Sequence, residues 1–431
     1  MLFRNNAPNA SPEQRWYEKA GPLRDGLRSR LAHSIRCKGD RLMKKNSIAK
    51  LQVTKRQLKG QIRQLAAKQR LTVGLDLGDR ASRYCILDEA GQKVSEEQVP
   101  TTKADLDLAF AKMAPCRIAL EVGTHSPWIS RHLSGLGHEV IVANPRKVRL
   151  ITQSVKKNDR MDAEQLARLA RVDPALLSPI RHRGPEAQAD LAVIRARAEL
   201  VDCRTSLINT ARGLAKPMGE RLKRCDADYV KESLAEGLSE ATQKVIRPLL
   251  KSVEGITRQI GVYDKKIQEI EKRYPETKVL KQVNGVGTLV ALTFILTLED
   301  AERFVHSRDV GPYLGLTRQR RDSGDSQPEL GISKAGDILM RRLLVQAAHC
   351  ILRDGAPDSD LKVWGLTKVE AGAKTGNGKK GSKRRKKRAV VAVARKLAVL
   401  LHKLWVTGEV YDPHYNRKAV EAAKEKKSAV A

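Results

Sequence analysis

Leu71-Thr-Val-Gly-Leu-Asp76-Leu-Gly78 decides the fold, and the rest of the chain can be placed around it. Its apolar residues alternate and then stop at an acid and a glycine, the pattern of a buried strand running into a turn. Arg83-Tyr-Cys-Ile-Leu87 is a second short apolar run, Gly91 marks another turn, and Lys93 to Val99 can pair as a third strand. A helical stretch around Leu106 to Met113 follows, then a strand, Arg117-Ile-Ala-Leu-Glu121. A helix holding Ile129, Leu133 and Leu136 ends at Gly137, and the strand Glu139-Val-Ile-Val-Ala143 comes next. Three strands followed by alternating helix and strand predict an α/β domain.

Beyond Asp159 the pattern turns helical. Asp162 to Arg171 reads as one helix, Glu186 to Lys216 as a long one striped by Leu191, Ile194, Val201 and Ile208, and Thr242 to Tyr274 as another. The charged segment between them, Pro217 to Glu240, reads as irregular, so the pair predicts an antiparallel coiled-coil arm. Lys278 to Arg353 is compact and apolar. Gly372 to Arg388 is of low complexity and strongly basic; it is expected as a disordered loop or a segment that orders on phosphate. A helix from Ala389 to Trp405 closes the body, and the tail after Tyr411 is expected to be loose. On the other side of the decisive stretch, Arg41 to Gln69 has Leu51, Leu58 and Leu65 at heptad spacing, which predicts a helix. The domains are therefore expected at 1–70 (basic extension), 71–180 (α/β), 181–277 (arm), 278–411 (mostly helical, with the basic loop 372–388) and 412–431 (tail).

The 431 residues carry 82 Lys and Arg against 49 Asp and Glu, a formal charge of +33. Such an excess fits a polyanion, because each cation laid on a phosphate releases condensed counterions. Aromatics are only 4%, which disfavours a base-stacking platform. The six cysteines include no CxxC pair, so neither a zinc site nor a disulfide framework is indicated, and a reducing cytoplasm fits. No apolar run reaches the roughly 18 residues of a membrane span.

Two-metal phosphoryl chemistry needs carboxylates converging on one point, with two Mg²⁺ about 4 Å apart. Asp76 and Glu121 end strands, and Asp159 and Asp162 stand three apart in Lys156-Lys-Asn-Asp159-Arg-Met-Asp162-Ala-Glu164, on one face of a helix start. Singly, each has an ordinary explanation as a turn residue or a helix cap.

In order along the chain, these motifs resemble a family. Gly74-Leu-Asp76, Leu120-Glu121, Asn144-Pro145 and Asn158-Asp159-Arg-Met-Asp162-Ala look like the DEDD-type insertion-sequence transposases related to the Piv invertase. Gln282-Val-Asn-Gly285-Val-Gly287, Tyr313-Leu-Gly315-Leu, Ser323-Gly324 and Gly331-Ile-Ser333-Lys334-Ala-Gly336 resemble that family's downstream elements, so the likeness runs from about residue 71 to 353. The resemblance implies an RNase H/RuvC-like domain, with Asp76, Glu121, Asp159 and Asp162 as Mg²⁺ ligands and a serine that attacks DNA. It also implies a structured non-coding bridge RNA that pairs with donor and target DNA, and a cytoplasmic setting in a bacterial or archaeal cell. A dimer or tetramer is expected, since recombination joins two duplexes. Ser323 is the first choice of nucleophile, because a serine beside glycine on an exposed turn can approach phosphate closely; Ser333 is second and Ser326 third.

Candidate phosphate contacts are Arg318, Arg320, Arg321, Lys334, Arg341 and Arg342, with Lys383, Arg384 and Arg385 in the basic run. Gly285 and Gly287 open an apolar run and can present backbone N–H groups to phosphate, or simply form a tight turn. Two other functions fit parts of this pattern: a RuvC-like junction nuclease that hydrolyses with water, and a non-catalytic nucleic-acid scaffold.

Overall fold

The computed structural model describes residues 70–145, 159–321, 323, 326–328, 330–371 and 379–417. The helix expected over Arg41–Gln69 lies outside them, as does almost all of the 1–70 extension. The chain divides into two compact units after His182.

The first unit is a mixed five-stranded sheet of β1 (Thr72–Asp76), β2 (Ala81–Leu87), β3 (Lys93–Pro100), β4 (Arg117–Glu121) and β5 (Glu139–Ala143), in the order β3-β2-β1-β4-β5. Short turns join β1, β2 and β3, which therefore pair antiparallel. Helices α1 (Lys103–Phe110) and α2 (Ser126–Gly135) carry the chain back across the sheet, so β4 and β5 run parallel to β1.

Strand alternation sorts the two faces. Val73, Leu75, Ile86, Ile118 and Leu120 pack against Leu106, Phe110, Ile129 and Leu133 of the two helices. The other face is smaller-sided around Gly74, with Leu87 and Ile141 as its larger residues. Cys85 packs with Ala163 and Ala167, and Ala119 and Ala143 pack with Leu166 and Ala170, all four partners on α3 (Asp159–Val172).

Gly74 is where α3 comes closest. A Cβ placed there would stand 1.9 Å from the carbonyl oxygen of Ala163 and 2.5 Å from the amide nitrogen of Ala167. Both are backbone atoms, so relief requires moving the helix. Gly74→Ala is expected to cost about 3 kcal/mol or more by overpacking. It would also shift the turn of α3 that carries Asp162. Thermal unfolding followed by circular dichroism checks the first effect; a melting temperature within a degree of the parent would refute it.

The second unit begins with α4 (Pro185–Ala215) and α5 (Glu240–Glu271). They pack side by side and antiparallel: Arg273 bonds Asp190, Arg197 bonds Asp264, and Arg204 bonds Thr257. The connection between them is irregular, as its charge and composition lead one to expect, and most of it is exposed. It forms short 3₁₀ turns, and Val230 and Ala235 are buried against Ile246, Leu250 and Val253, closing the end of the helix pair.

The core of the unit's other half is α6 (Thr288–Leu298), α7 (Ile338–Ile351) and α9 (Lys379–Thr407), with α8 (Asp360–Ala371) beside them. From Val290 to Leu298 every residue of α6 is buried, as an apolar run without a polar face requires. The basic run corrects an expectation. Lys379 to Arg388 is not loop but the opening turns of α9, continuous with the helix predicted from Ala389. Lys and Arg are good helix formers and extend a helix nucleated on a buried apolar stripe. The beginning of the tail is also held, not loose: Arg417 pairs with Asp358 and Asp360, and the Asp360 amide donates to the Pro413 carbonyl. No helix among the described residues is long and apolar enough to cross a membrane.

Candidate active site

The register of the parallel strands sets two acids side by side. Leu75 is paired with Leu120, so Asp76 and Glu121 follow at the carboxyl ends of neighbouring strands. Gly74 and Ala119 face α3, and two residues on in each strand Asp76 and Glu121 turn to the same face. Both are half-buried.

The direction of α3 follows from one hydrogen bond. The Arg117 guanidinium, at the start of β4, donates to the Ala170 carbonyl at 2.9 Å. The C-terminal end of α3 thus lies over the beginning of β4, and its first turns lie toward the ends of β1 and β4. Asp162 precedes Ala163, the residue seated on Gly74, and is half-buried. Asp159 is the first residue of the helix; its side chain is outside the described set.

Asp76, Glu121 and the acid-bearing turn of α3 thus gather at one end of one face. The donor set is all oxygen, which suits a hard divalent cation. Among the described residues, no three His, Cys, Asp or Glu side chains by themselves form a group placed to hold a metal ion.

Glu164, two residues from Asp162, is committed elsewhere. It pairs with Lys93 at 2.6 Å and with Arg168 at 2.7 Å, and hydrogen bonds from these two cations hold its carboxyl below the usual glutamate range.

Several groups at this edge escaped the sequence reading. Arg83 is the cross-strand partner of Asp76, and by alternation with Cys85 it turns to the same face, bringing a cation beside the acid. The signal was present as a charged residue opening an otherwise apolar strand. Beyond Glu121 the chain is pinned by Ser126, a buried residue. Its hydroxyl accepts from the Gly123 amide at 3.0 Å, donates to the Gly123 carbonyl at 2.8 Å, and lies 2.9 Å from His182 Nε2. His125 accepts from the Trp128 indole at Nδ1 and faces Asp79 through Nε2, which places the ring proton on Nε2. No periodicity signals such loop contacts.

In the second unit, the three serines lie on one antiparallel ribbon. Arg318 bridges Ile332, Gln319 donates to the Gly331 carbonyl, and the Ser333 amide donates to Thr317 at 2.8 Å. Ser323 and Ser326 exchange both backbone hydrogen bonds at the far end. Ser323 and Ser326 are exposed at the tip, whereas Ser333 is half-buried at the base. Ser333 does not cap a helix; Asp337 does, accepting from the Met340 amide. At the base, Gly315 and Gly336 meet so closely that a Cβ on Gly336 would fall 2.2 Å from the Tyr313 carbonyl.

The candidate phosphate contacts divide. Arg318, Arg320, Arg321 and Lys334 are exposed. Arg341 is turned inward, donating to the carbonyls of Leu314 and Gly336, and so braces the ribbon's base. Arg342 pairs with Asp202. Gly287 is exposed at the start of α6, while Gly285, at φ +82°, packs on Ala347 and Cys350 of α7, so a turn is its evident duty. Arg385 is half-buried on α9; the side chains of Lys383 and Arg384 lie outside the described residues.

Two family models match this chain. Residues 73–217 match a DEDD-type family model described as a transposase, and residues 277–361 match one described as the transposase IS116/IS110/IS902 family. Together the two cover more than half of the chain. Among curated relatives, the transposase for insertion sequence element IS1111A of Coxiella burnetii is 28% identical over 351 residues, 79% of this chain and 90% of that one. The transposase for element IS1328 of Yersinia enterocolitica is 27% identical over 289 residues, 65% of this chain and 84% of that one. A probable family 20 transposase of Pseudomonas aeruginosa is 26% identical, covering 67% and 86%.

Proposed function

The chain belongs to the IS116/IS110/IS902 family of transposases, and from that premise we propose a composite chemistry in which an acidic metal site and a serine share strand exchange. The observation that carries the proposal is the meeting of Asp76, Glu121 and the first turns of α3 at one end of the sheet face that Gly74 and Ala119 open. The sheet order, with three antiparallel strands leading two parallel ones, fits an RNase H/RuvC-like domain.

In this reading Asp76, Glu121, Asp159 and Asp162 hold Mg²⁺, two ions at full occupancy. Bound there, the metal would neutralise phosphate charge and activate the attacking oxygen. Ser323 is the nucleophile. Its Oγ forms a bond to phosphorus while one ester bond of the DNA breaks, and the hydroxyl proton passes to the departing oxygen or to water. The number of phosphodiester bonds is conserved, so rejoining by the reverse step needs no outside energy source. Arg320 and Arg321 beside the tip supply cationic surroundings for the phosphate, and Lys334 does so at the base. A structured non-coding bridge RNA aligns donor and target, and the net charge of +33 suits the load of phosphate this requires. Two duplexes need more than one such chain, so a dimer or tetramer is the working form.

The test is a cleavage assay with the full chain, its RNA and labelled donor and target DNA. Cleavage is expected with Mg²⁺ and is expected to vanish with a chelator, while DNA retention in a gel-shift assay persists. Undiminished cleavage in chelator would overturn the metal half of the proposal.

A further inference from the structure

A groove of about 1760 Å³ opens in the second unit between the 317–332 ribbon, one face of α9 and the segment 409–416. It exceeds the few hundred to roughly a thousand Å³ of a small-molecule pocket. Seven Lys and Arg side chains line it against three acids. Two of those acids are already used: Asp360 by Arg417, and Glu409 by Lys403 at 4.0 Å. Among the described residues, Arg320, Lys387, Arg395 and Lys396 have no carboxylate partner.

Between these cations the floor is apolar, with Leu316, Ile332, Leu361 and Val391. Trp364, Tyr411 and Tyr415 also gather here, in a chain with only 4% aromatics. Lys396 Nζ sits 4.0 Å from the Trp364 ring centre, and Lys403 Nζ 5.3 Å from that of Tyr415. The indole thus fixes an ammonium in the groove, and Lys396 is drawn below the ordinary lysine range by burial and by nearby Lys368. The negative charge of an arriving anion would offset both. The terminal segments of the chain, 1–69 and 418–431, are themselves basic, so an external polyanion complements the groove better than they do.

We infer that this groove binds the phosphodiester backbone of an unpaired nucleic-acid strand, its phosphates on Arg395, Lys396 and Lys387 and its bases over the apolar floor. A duplex buries its base faces and would leave that floor unmatched. The inference rests on the reading of the chain as one that acts on nucleic acid. RNA and DNA share the recognised chemistry.

The experiment measures binding of fluorescent single-stranded RNA, single-stranded DNA and duplex DNA by anisotropy across a salt series, using the full chain and the Arg395→Gln/Lys396→Gln double variant. Single-strand affinity is expected to fall about tenfold, and the slope of log affinity against log salt to fall by about 1.4, the value for two lost phosphate contacts. Duplex affinity should stay within twofold. A loss confined to RNA or to DNA identifies the strand, and either supports the groove. Unchanged single-strand binding overturns it, as does an equal loss on duplex. If the parent chain binds none of the three, the wider nucleic-acid reading fails with it. Photocrosslinking of the parent chain to a thiouridine-bearing strand gives a check free of folding effects: adducts on α9 or on 409–416 are expected, and adducts only elsewhere overturn the assignment.

Discussion

Asp76→Asn is expected to lower strand cleavage by about 10³-fold, equivalent to about 4 kcal/mol of transition-state stabilisation. The change removes a charge and almost no volume. Asp76 ends β1 half-buried, beyond the sealed stretch Val73 to Leu75, so the strand and its packing should survive. Its neighbour in the sheet, Glu121, should behave alike as glutamine, since the register sets the two together. The contrast comes from Glu164. In sequence it stands in the same acidic cluster as Asp159 and Asp162, yet it is bound by Lys93 and Arg168. Glu164→Gln should therefore keep cleavage within about threefold, the scale of a lost surface ion pair. Single-turnover cleavage at fixed Mg²⁺, with DNA binding and melting temperature measured alongside, separates the cases. Full cleavage by Asp76→Asn would remove Asp76 from the chemistry and overturn the acidic site as proposed. Equal loss in Glu164→Gln would mean that charge, not placement, governs the site.

That contrast marks what the sequence could and could not reveal. Four of the five strands were legible as short apolar runs, and β4 and β5 begin and end where the apolar pattern does, whereas the polar β3 was legible only as the segment that pairs after the Gly91 turn. The facing of Asp76 and Glu121 needed the pairing register, which no single strand carries. Gly74 reads as an ordinary strand glycine until α3 is seen against it. Charge misled once. The run Lys379–Arg388 looked too basic to fold, but a helix anchored by Val390, Val393 and Leu397 carries such residues on its extension. Pro217 to Glu240 is irregular, as it reads, and two buried residues pin it to the helix pair. The cationic groove was invisible for a different reason. Its walls come from residues near 320, 395 and 411, and only the packing of α9 brings them together.

Ser323→Ala is expected to abolish covalent protein–DNA adducts and strand joining, whereas Ser333→Ala should retain both. The two serines differ in access. Ser323 stands exposed at the ribbon's tip, with Arg320 and Arg321 close by in the chain. Ser333 is half-buried at the base, its amide given to Thr317, and the next residue, Lys334, is held at φ +54°, in the left-handed region. Reaching a backbone phosphate from there would require the base to open, against the close contact of Gly315 with Gly336 and the Arg341 brace. A hydroxyl at the tip meets no such obstacle and gains from cations that stabilise its alkoxide. Incubation of the full chain with RNA, labelled DNA and Mg²⁺, then denaturation and mass spectrometry of the adducted peptide, reads the result directly. An adduct on Ser323 that is lost in Asp76→Asn ties the serine to the acids in one reaction. An adduct on Ser333 would mean that the ribbon opens at its base on binding DNA, and would move the nucleophile there. Cleavage without any adduct would remove the serine from the chemistry and leave metal-activated water as the attacking group.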